Sequence, residues 1–258
     1  MELPRAWQRP DPLRGLDRIS WAEVYDGRGV ASRVPRLLRS LMDPSADVRL
    51  DALSSLADRL LTDDTVSEAS FCAVPYLVEL GASYKVAGDV RDRVIFLLAA
   101  MALAGKGFTE EGRRTHRRWN ALGRELPRTA PDWLTQTRHA VAQGAPKIFE
   151  ALASERVACL VALACAVPEN LPSFVSGLMS DMVELPGGEM PAGEEMLSEA
   201  AEIAVALLKR SPELLVVDQP KVLGEGLVRP AHQPREVAAA LMGYRFALAS
   251  AYGDEGAW

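Results

Sequence analysis

One stretch, "DPSADVRLDALSSLADRL" from Asp43 to Leu60, limits this chain more than any other, because its opening is used twice. The segment "DVRDRVIFLLAAMA" starts at Asp89 with the same Asp-Val-Arg. In the first copy Leu50, Leu53, Leu56 and Leu60 recur at helical spacing. Pro44 cannot continue a helix, so a first helix must stop, the chain must turn, and a second helix must start. Asp47 and Asp89 are expected to cap the two second helices, each carboxylate accepting from free N–H groups and favoured by the helix dipole. Arg49 is a cation near a positive helix end and needs a carboxylate of its own. An Asp from the neighbouring copy would supply one, and Arg91 is expected to be held likewise. Asp47, Arg49, Asp89 and Arg91 are therefore structural candidates: a ladder between stacked helix pairs.

Helical patterns dominate the rest. Ser32 to Met42 places Val34, Leu37, Leu38 and Leu41 on one face, and Thr65 to Leu80 does the same with Phe71, Val74, Leu77 and Val78. Asp89 to Ala104 is apolar nearly all round, which predicts burial on several sides. Composition agrees: the chain is 48% hydrophobic but only 6% aromatic, and it is rich in Ala and Leu, which favour helices over strands. No strand-like alternation of useful length is present. Residues 1–31 carry Pro4, Pro10 and Pro12 and are expected to be irregular. Ser20 and Glu23 form a possible capping box for one short helix, which "YDGRG" would end. The expected architecture is an all-α solenoid of about five stacked helix pairs, one domain over residues 32–258 with a basic insert at about 107–131.

Helix, Asp-Pro turn, Val-Arg, then an Ala- and Leu-rich helix resembles the HEAT repeat of the armadillo-type α-solenoids. The period of about 42 residues fits that family, and "FCAVPYLVELGA" is similar to the first helix of repeats in bacterial HEAT-like proteins. A third copy, "RHAVAQGAPKIFEALASERVACLVALACAV", aligns when Arg156 takes the place of Arg49, with Glu155 where Val48 stands. The segments 170–183, 194–210, 219–228 and 235–252 keep the helical pattern without the motif. The resemblance implies an extended surface for a macromolecular partner and, for function, an adaptor, regulator or immunity-type protein.

Catalytic and metal chemistry find little support. His116, His139 and His232 lie far apart, and none pairs with Cys, Asp or Glu at metal-ligand spacing. Gly105 to Gly107 is a lone "GKG" without the rest of a phosphate loop, and no nucleophile elbow occurs. Neither a cofactor nor a metal is expected. The odd count of cysteines, Cys72, Cys159 and Cys165, falls within apolar helical patterns and reads as buried free thiols. "MELPRAWQRP" has no apolar stretch behind its charges, and the longest apolar run, Val157 to Val167, is well short of the roughly 20 residues of a membrane helix. A cytoplasmic protein is expected.

Charge is unevenly spread. The net charge is -6, yet "GRRTHRRWNALGRELPRTAPDW" is strongly basic. On a helical wheel Thr115, Trp119, Leu122 and Leu126 share a stripe, while Arg113, Arg117, Arg124 and Arg128 face away, with Arg114 and Arg118 beside them. Trp119 is expected to dock the helix and the six arginines to meet an acidic or phosphate-bearing partner, for which the guanidinium is a planar donor fork. A solvated face is the plainer reading of the same residues. Val157 to Leu208 holds no Lys or Arg, but holds Glu169, Asp181, Glu184, Glu189, Glu194, Glu195, Glu199 and Glu202.

The expected function is non-catalytic binding of a protein with an acidic surface. A HEAT-like DNA-binding protein or alkylpurine DNA glycosylase is the alternative, with Trp119, Asp132, Trp133 and Arg138 as the residue types such an enzyme would use. The acidic half would repel phosphate and counts against it. An accessory enzyme of a biosynthetic pathway is a third reading. Oligomeric state is left open.

Overall fold

The computed structural model describes residues 11–106, 132–152, 157–183, 192–211 and 234–253. The chain is all-α. Its helices are α1 (Val34–Ser40), α2 (Ala46–Leu60), α3 (Glu68–Gly81), α4 (Gly88–Leu103), α5 (Trp133–Leu152), α6 (Val157–Ala166), α7 (Phe174–Val183), α8 (Ala192–Leu208) and α9 (Arg235–Tyr252). Short turns make hairpins of α1 with α2 and of α3 with α4, and α7 packs on α8. Second helices form a layer, α2 on α4, α4 on α6 and α6 on α8, while α5 lies against both α3 and α4. The last described helix, α9, lies against α4, α6 and α8. Segment 219–228, expected to be helical, lies outside the described residues.

This arrangement accounts for the apolar helices. In α4 every residue from Val94 to Leu103 is buried, as is every residue of α6 from Cys159 to Ala166. With α5 on one side and α9 on another, α4 presents no broad face to water. Around α2 the expected stripe is corrected at one end: Leu53, Leu56 and Leu60 are buried, but Leu50 is 37% exposed and Ala52 takes the inward place. Residues 53, 56 and 60 follow the helical period, whereas Leu50 lies near the start of α2, beside the turn that closes the hairpin.

Two cap assignments are also corrected. Helix α2 is entered from Ser45 and α4 from Ala87, so Asp47 and Asp89 lie within the first turns rather than at the caps. There they still face the positive end of the helix dipole. Asp43 shapes the turn, its Oδ1 accepting from the Ser45 N–H at 2.9 Å.

The expected short helix at Ser20 is replaced by a turn, the Glu23 N–H donating to the Ser20 carbonyl at 2.8 Å. A small antiparallel ribbon follows, β1 (Tyr25–Asp26) with β2 (Gly29–Val30). "YDGRG" is thus a hairpin turn. It is docked on the end of α2: the Gly27 N–H donates to the Arg59 carbonyl, and a Cβ at Gly27 would meet Thr62 Oγ1 at 2.0 Å. Beneath it Asp26, its side chain 0% exposed, pairs with Arg59 at 2.8 Å and also accepts from the Arg28 N–H.

Candidate interaction site at the feet of the basic insert

The ladder is present between the first two copies. Arg49 donates through Nη2 to Asp89 Oδ2 at 3.4 Å and through Nη1 to the Asp43 and Pro44 carbonyls at 2.9 Å each. One guanidinium therefore fastens the turn before α2 and reaches across to the start of α4. Arg91 has a ring contact of its own. It is buried, with its guanidinium over the Tyr84 ring at 5.3 Å, an arrangement in which the ring face attracts the cation. The Tyr84 hydroxyl donates to the Ala151 carbonyl near the end of α5. Arg156 and Glu155, the third copy of the motif, lie outside the described residues.

Arg113, Arg114, Arg117, Arg118, Arg124 and Arg128 and the docking residue Trp119 also lie outside them. What the structure does describe is the base on which that segment stands. The chain leaves at Gly105 and Lys106 and returns at Asp132. The two feet are neighbours, since a Cβ at Gly105 would come within 2.9 Å of Leu134 Cδ1. Gly105 holds φ +74, a conformation open to glycine at little cost. Its N–H donates to the Asp64 carbonyl at 2.7 Å.

Asp64 belongs to a tight turn closed by reciprocal bonds between Thr62 and Thr65. Asp63 and Asp64 have φ 49 and 63, the left-handed pair that such a turn requires, and Asp64 is only 2% exposed. The other foot is held by Asp132. Thr135 donates to it from its backbone N–H at 3.1 Å and from its hydroxyl at 2.5 Å, which holds the carboxyl below its ordinary pKa. Trp133 packs on Phe71 of α3, ring centroids 5.8 Å apart. Arg138, one turn further on, donates to the Ala166 carbonyl and to Glu169, each at 3.0 Å. Burial lowers the Lys106 pKa, and the Arg138 charge lowers it further against the opposing effect of Glu169.

Three residues named for a glycosylase thus have structural duties: Asp132 starts α5, Trp133 seats it on α3, and Arg138 ties it to the end of α6. Cys72, Cys159 and Cys165 are in no disulfide, with Cys72 half-buried and the other two buried. Burial pushes the thiols of Cys72 and Cys165 up, away from nucleophilic thiolate. His139 meets Gln143 on the surface of α5. Among the described residues no three His, Cys, Asp or Glu side chains are placed to hold a metal ion, and no helix is long and apolar enough to cross a membrane.

The fold and these contacts define an all-α protein of packed helices in which residues 106 and 132, the two ends of the basic segment, belong to one closely packed region. No protein-family model, curated protein or solved structure matches the chain.

Proposed function

We propose that the chain is a non-catalytic interaction protein, a HEAT-like solenoid whose arginine-rich segment receives a protein with an acidic surface. The observation that carries this reading is the closed base of the insert. Gly105 touches Leu134, and both feet are tied into α3, α5 and α6. The segment carrying the six arginines therefore begins and ends at neighbouring points of the described structure. The occupation of Asp132, Trp133 and Arg138 by structural contacts argues against a glycosylase site built from them. Three free cysteines fit a reducing cytoplasm, and an adaptor, regulator or immunity-type role suits such a surface.

The test is Arg117→Glu with Arg124→Glu. A partner captured from the native host by the unmutated chain, then identified and purified, should associate with the variant at least tenfold more slowly, while thermal unfolding is unchanged. Association of the unmutated chain should slow as salt rises, because exposed charges are screened over about 8–10 Å at ordinary ionic strength. Tight binding of random duplex DNA, falling steeply with salt, would instead support the nucleic-acid reading. An unchanged association rate for the variant would remove the arginines from the interface.

A further inference from the structure

The N-terminal ribbon turns two apolar side chains outward. Around β1 the chain alternates, with Val24 and Asp26 buried and Tyr25 facing out. Val30 of β2 stands directly opposite Tyr25, so the two side chains share one face of the ribbon. They are 62% and 45% exposed. The ribbon is held from its other face: Asp26 pairs with Arg59, the Gly27 N–H donates to the Arg59 carbonyl, and the Ala31 N–H donates to the Val24 carbonyl at 2.8 Å. Its surroundings are basic. From Gly27 to Met42 the chain has Arg28, Arg33, Arg36 and Arg39 and no Asp or Glu, although its net charge is -6. Arg28 and Arg39 reach Asp58 and Asp17, whereas Arg33 and Arg36 are exposed and have no ion-pair partner among the described residues. The ribbon is also a neighbour of the basic insert. Gly27 seats on Thr62, and Asp64 of the same turn accepts from the Gly105 N–H.

We propose that the Tyr25–Val30 face is where an acidic protein partner seats an apolar side chain, with Arg33 and Arg36 meeting carboxylates beside it. This rests on the reading of the chain as a receiver of an acidic surface, and adds the place where that partner is held. Charge identifies the occupant. Two arginines next to an apolar pair select carboxylates accompanied by a hydrophobic group, and they repel a basic surface. Tyr and Arg carry much of the energy at protein interfaces, because a rigid ring or a planar guanidinium gives up little freedom on binding. The ribbon is already ordered by its buried attachments, so little further ordering cost falls on this chain. A nucleic acid would find one ring and an aliphatic side chain, not a platform of successive aromatics. The two basic regions divide the work. Exposed charge on the insert acts at a distance and sets how fast a partner arrives, while the apolar contact acts once made and sets how long it stays.

The test titrates the ¹⁵N-labelled full chain with short synthetic peptides. One is rich in Asp and Glu with a central Leu, one has Ser in place of that Leu, and one keeps the Leu among lysines. The acidic Leu peptide should shift the amide resonances of Tyr25, Val30 and Arg33 and bind at least tenfold more tightly than the Ser peptide, while the lysine peptide shifts none of them. Tyr25→Ala should speed its dissociation at least tenfold and Val30→Ser severalfold, with thermal unfolding unchanged. Arg117→Glu with Arg124→Glu should slow association and leave dissociation as it was. Ribbon resonances that stay in place, equal affinity for the Leu and Ser peptides, or unaltered dissociation in both ribbon variants would overturn the ribbon as the contact and leave the role of the insert standing. Faster dissociation in the ribbon variants, with association unchanged in the arginine variant, would keep the ribbon and overturn the role of the insert. Ribbon shifts produced by single-stranded DNA and by none of the acidic peptides would overturn the protein partner.

Discussion

The Asp26–Arg59 pair under the N-terminal ribbon allows a prediction with an internal control. The bond is 2.8 Å long, and the two side chains are 0% and 16% exposed. Breaking a buried pair from one side costs about 3–5 kcal/mol, because the remaining charge is left without compensation. The two partners should not be equivalent. After Asp26→Ala the Arg59 guanidinium retains a route to water along its long stem, so the loss should lie near the lower limit, about 3 kcal/mol. After Arg59→Ala the carboxylate is wholly enclosed and keeps the Arg28 N–H as its remaining described donor, so the loss should be nearer 4 kcal/mol. The double variant should cost clearly less than the sum. Urea unfolding followed by tryptophan fluorescence is suitable, since Trp21 is buried in the same N-terminal segment. For a chain of this size each kcal/mol corresponds to roughly 2–4 °C in Tm. Losses below about 0.5 kcal/mol for both single variants, or strict additivity, would show that the ribbon is not held by this pair.

Three further expectations follow from particular contacts. Leu53→Ala should destabilise by roughly 2–5 kcal/mol, while Leu50→Ala, at an exposed position, should cost less than about 1 kcal/mol; similar losses from chemical denaturation would contradict the orientation of α2. A double-mutant cycle on Arg49 and Asp89 should give a coupling of about 0.2–1 kcal/mol, as for other partly exposed pairs, and zero coupling would leave the ladder as geometry alone. Glu199→Gln should stabilise the protein at neutral pH, because burial, and then Glu195 and Glu202, raise the Glu199 pKa and favour its protonated form. The advantage of the native glutamic acid is fully present below its unfolded pKa of about 4.3 and is lost as pH rises through the higher folded value. Melting curves of the two proteins should therefore converge in acid and separate above it; constant separation would refute the assignment.

Much of the local order was legible without coordinates. A period of 3.6 residues marks which side of a helix is apolar, and Leu53, Leu56, Val74 and Leu77 are buried accordingly. The Asp-Val-Arg entry announced the Arg49–Asp89 contact, because a cation at a positive helix end needs an outside partner. A signal overlooked in the sequence reinforces the same repeat: Val34-Pro35, Val74-Pro75 and Ala145-Pro146 lie in α1, α3 and α5, each the helix before a proposed or observed second helix of the repeat. Cap positions were less accurate, since a first-turn Asp and a capping Asp suit the same dipole. The ribbon at Tyr25 was illegible because two residues per strand carry no periodicity. The arginine face was conspicuous as charge, yet its residues lie outside the described structure, so only its base is placed.

Sequence by itself determined that the chain is helical, where its helices turn, and that α4 and α6 must be covered on several sides. Each of these rests on properties of neighbouring residues: propensity, the helical period and the missing N–H of proline. Tertiary structure decided what does the covering. Tyr244 reaches Phe96 and Gly243 meets Cys165 across long stretches of chain, and the Arg91 guanidinium lies over the Tyr84 ring. An apolar helix surface advertises that something must bury it, but the hydrophobic effect has no direction. Which helix fits is settled by shape, and shape exists only once the backbones have met.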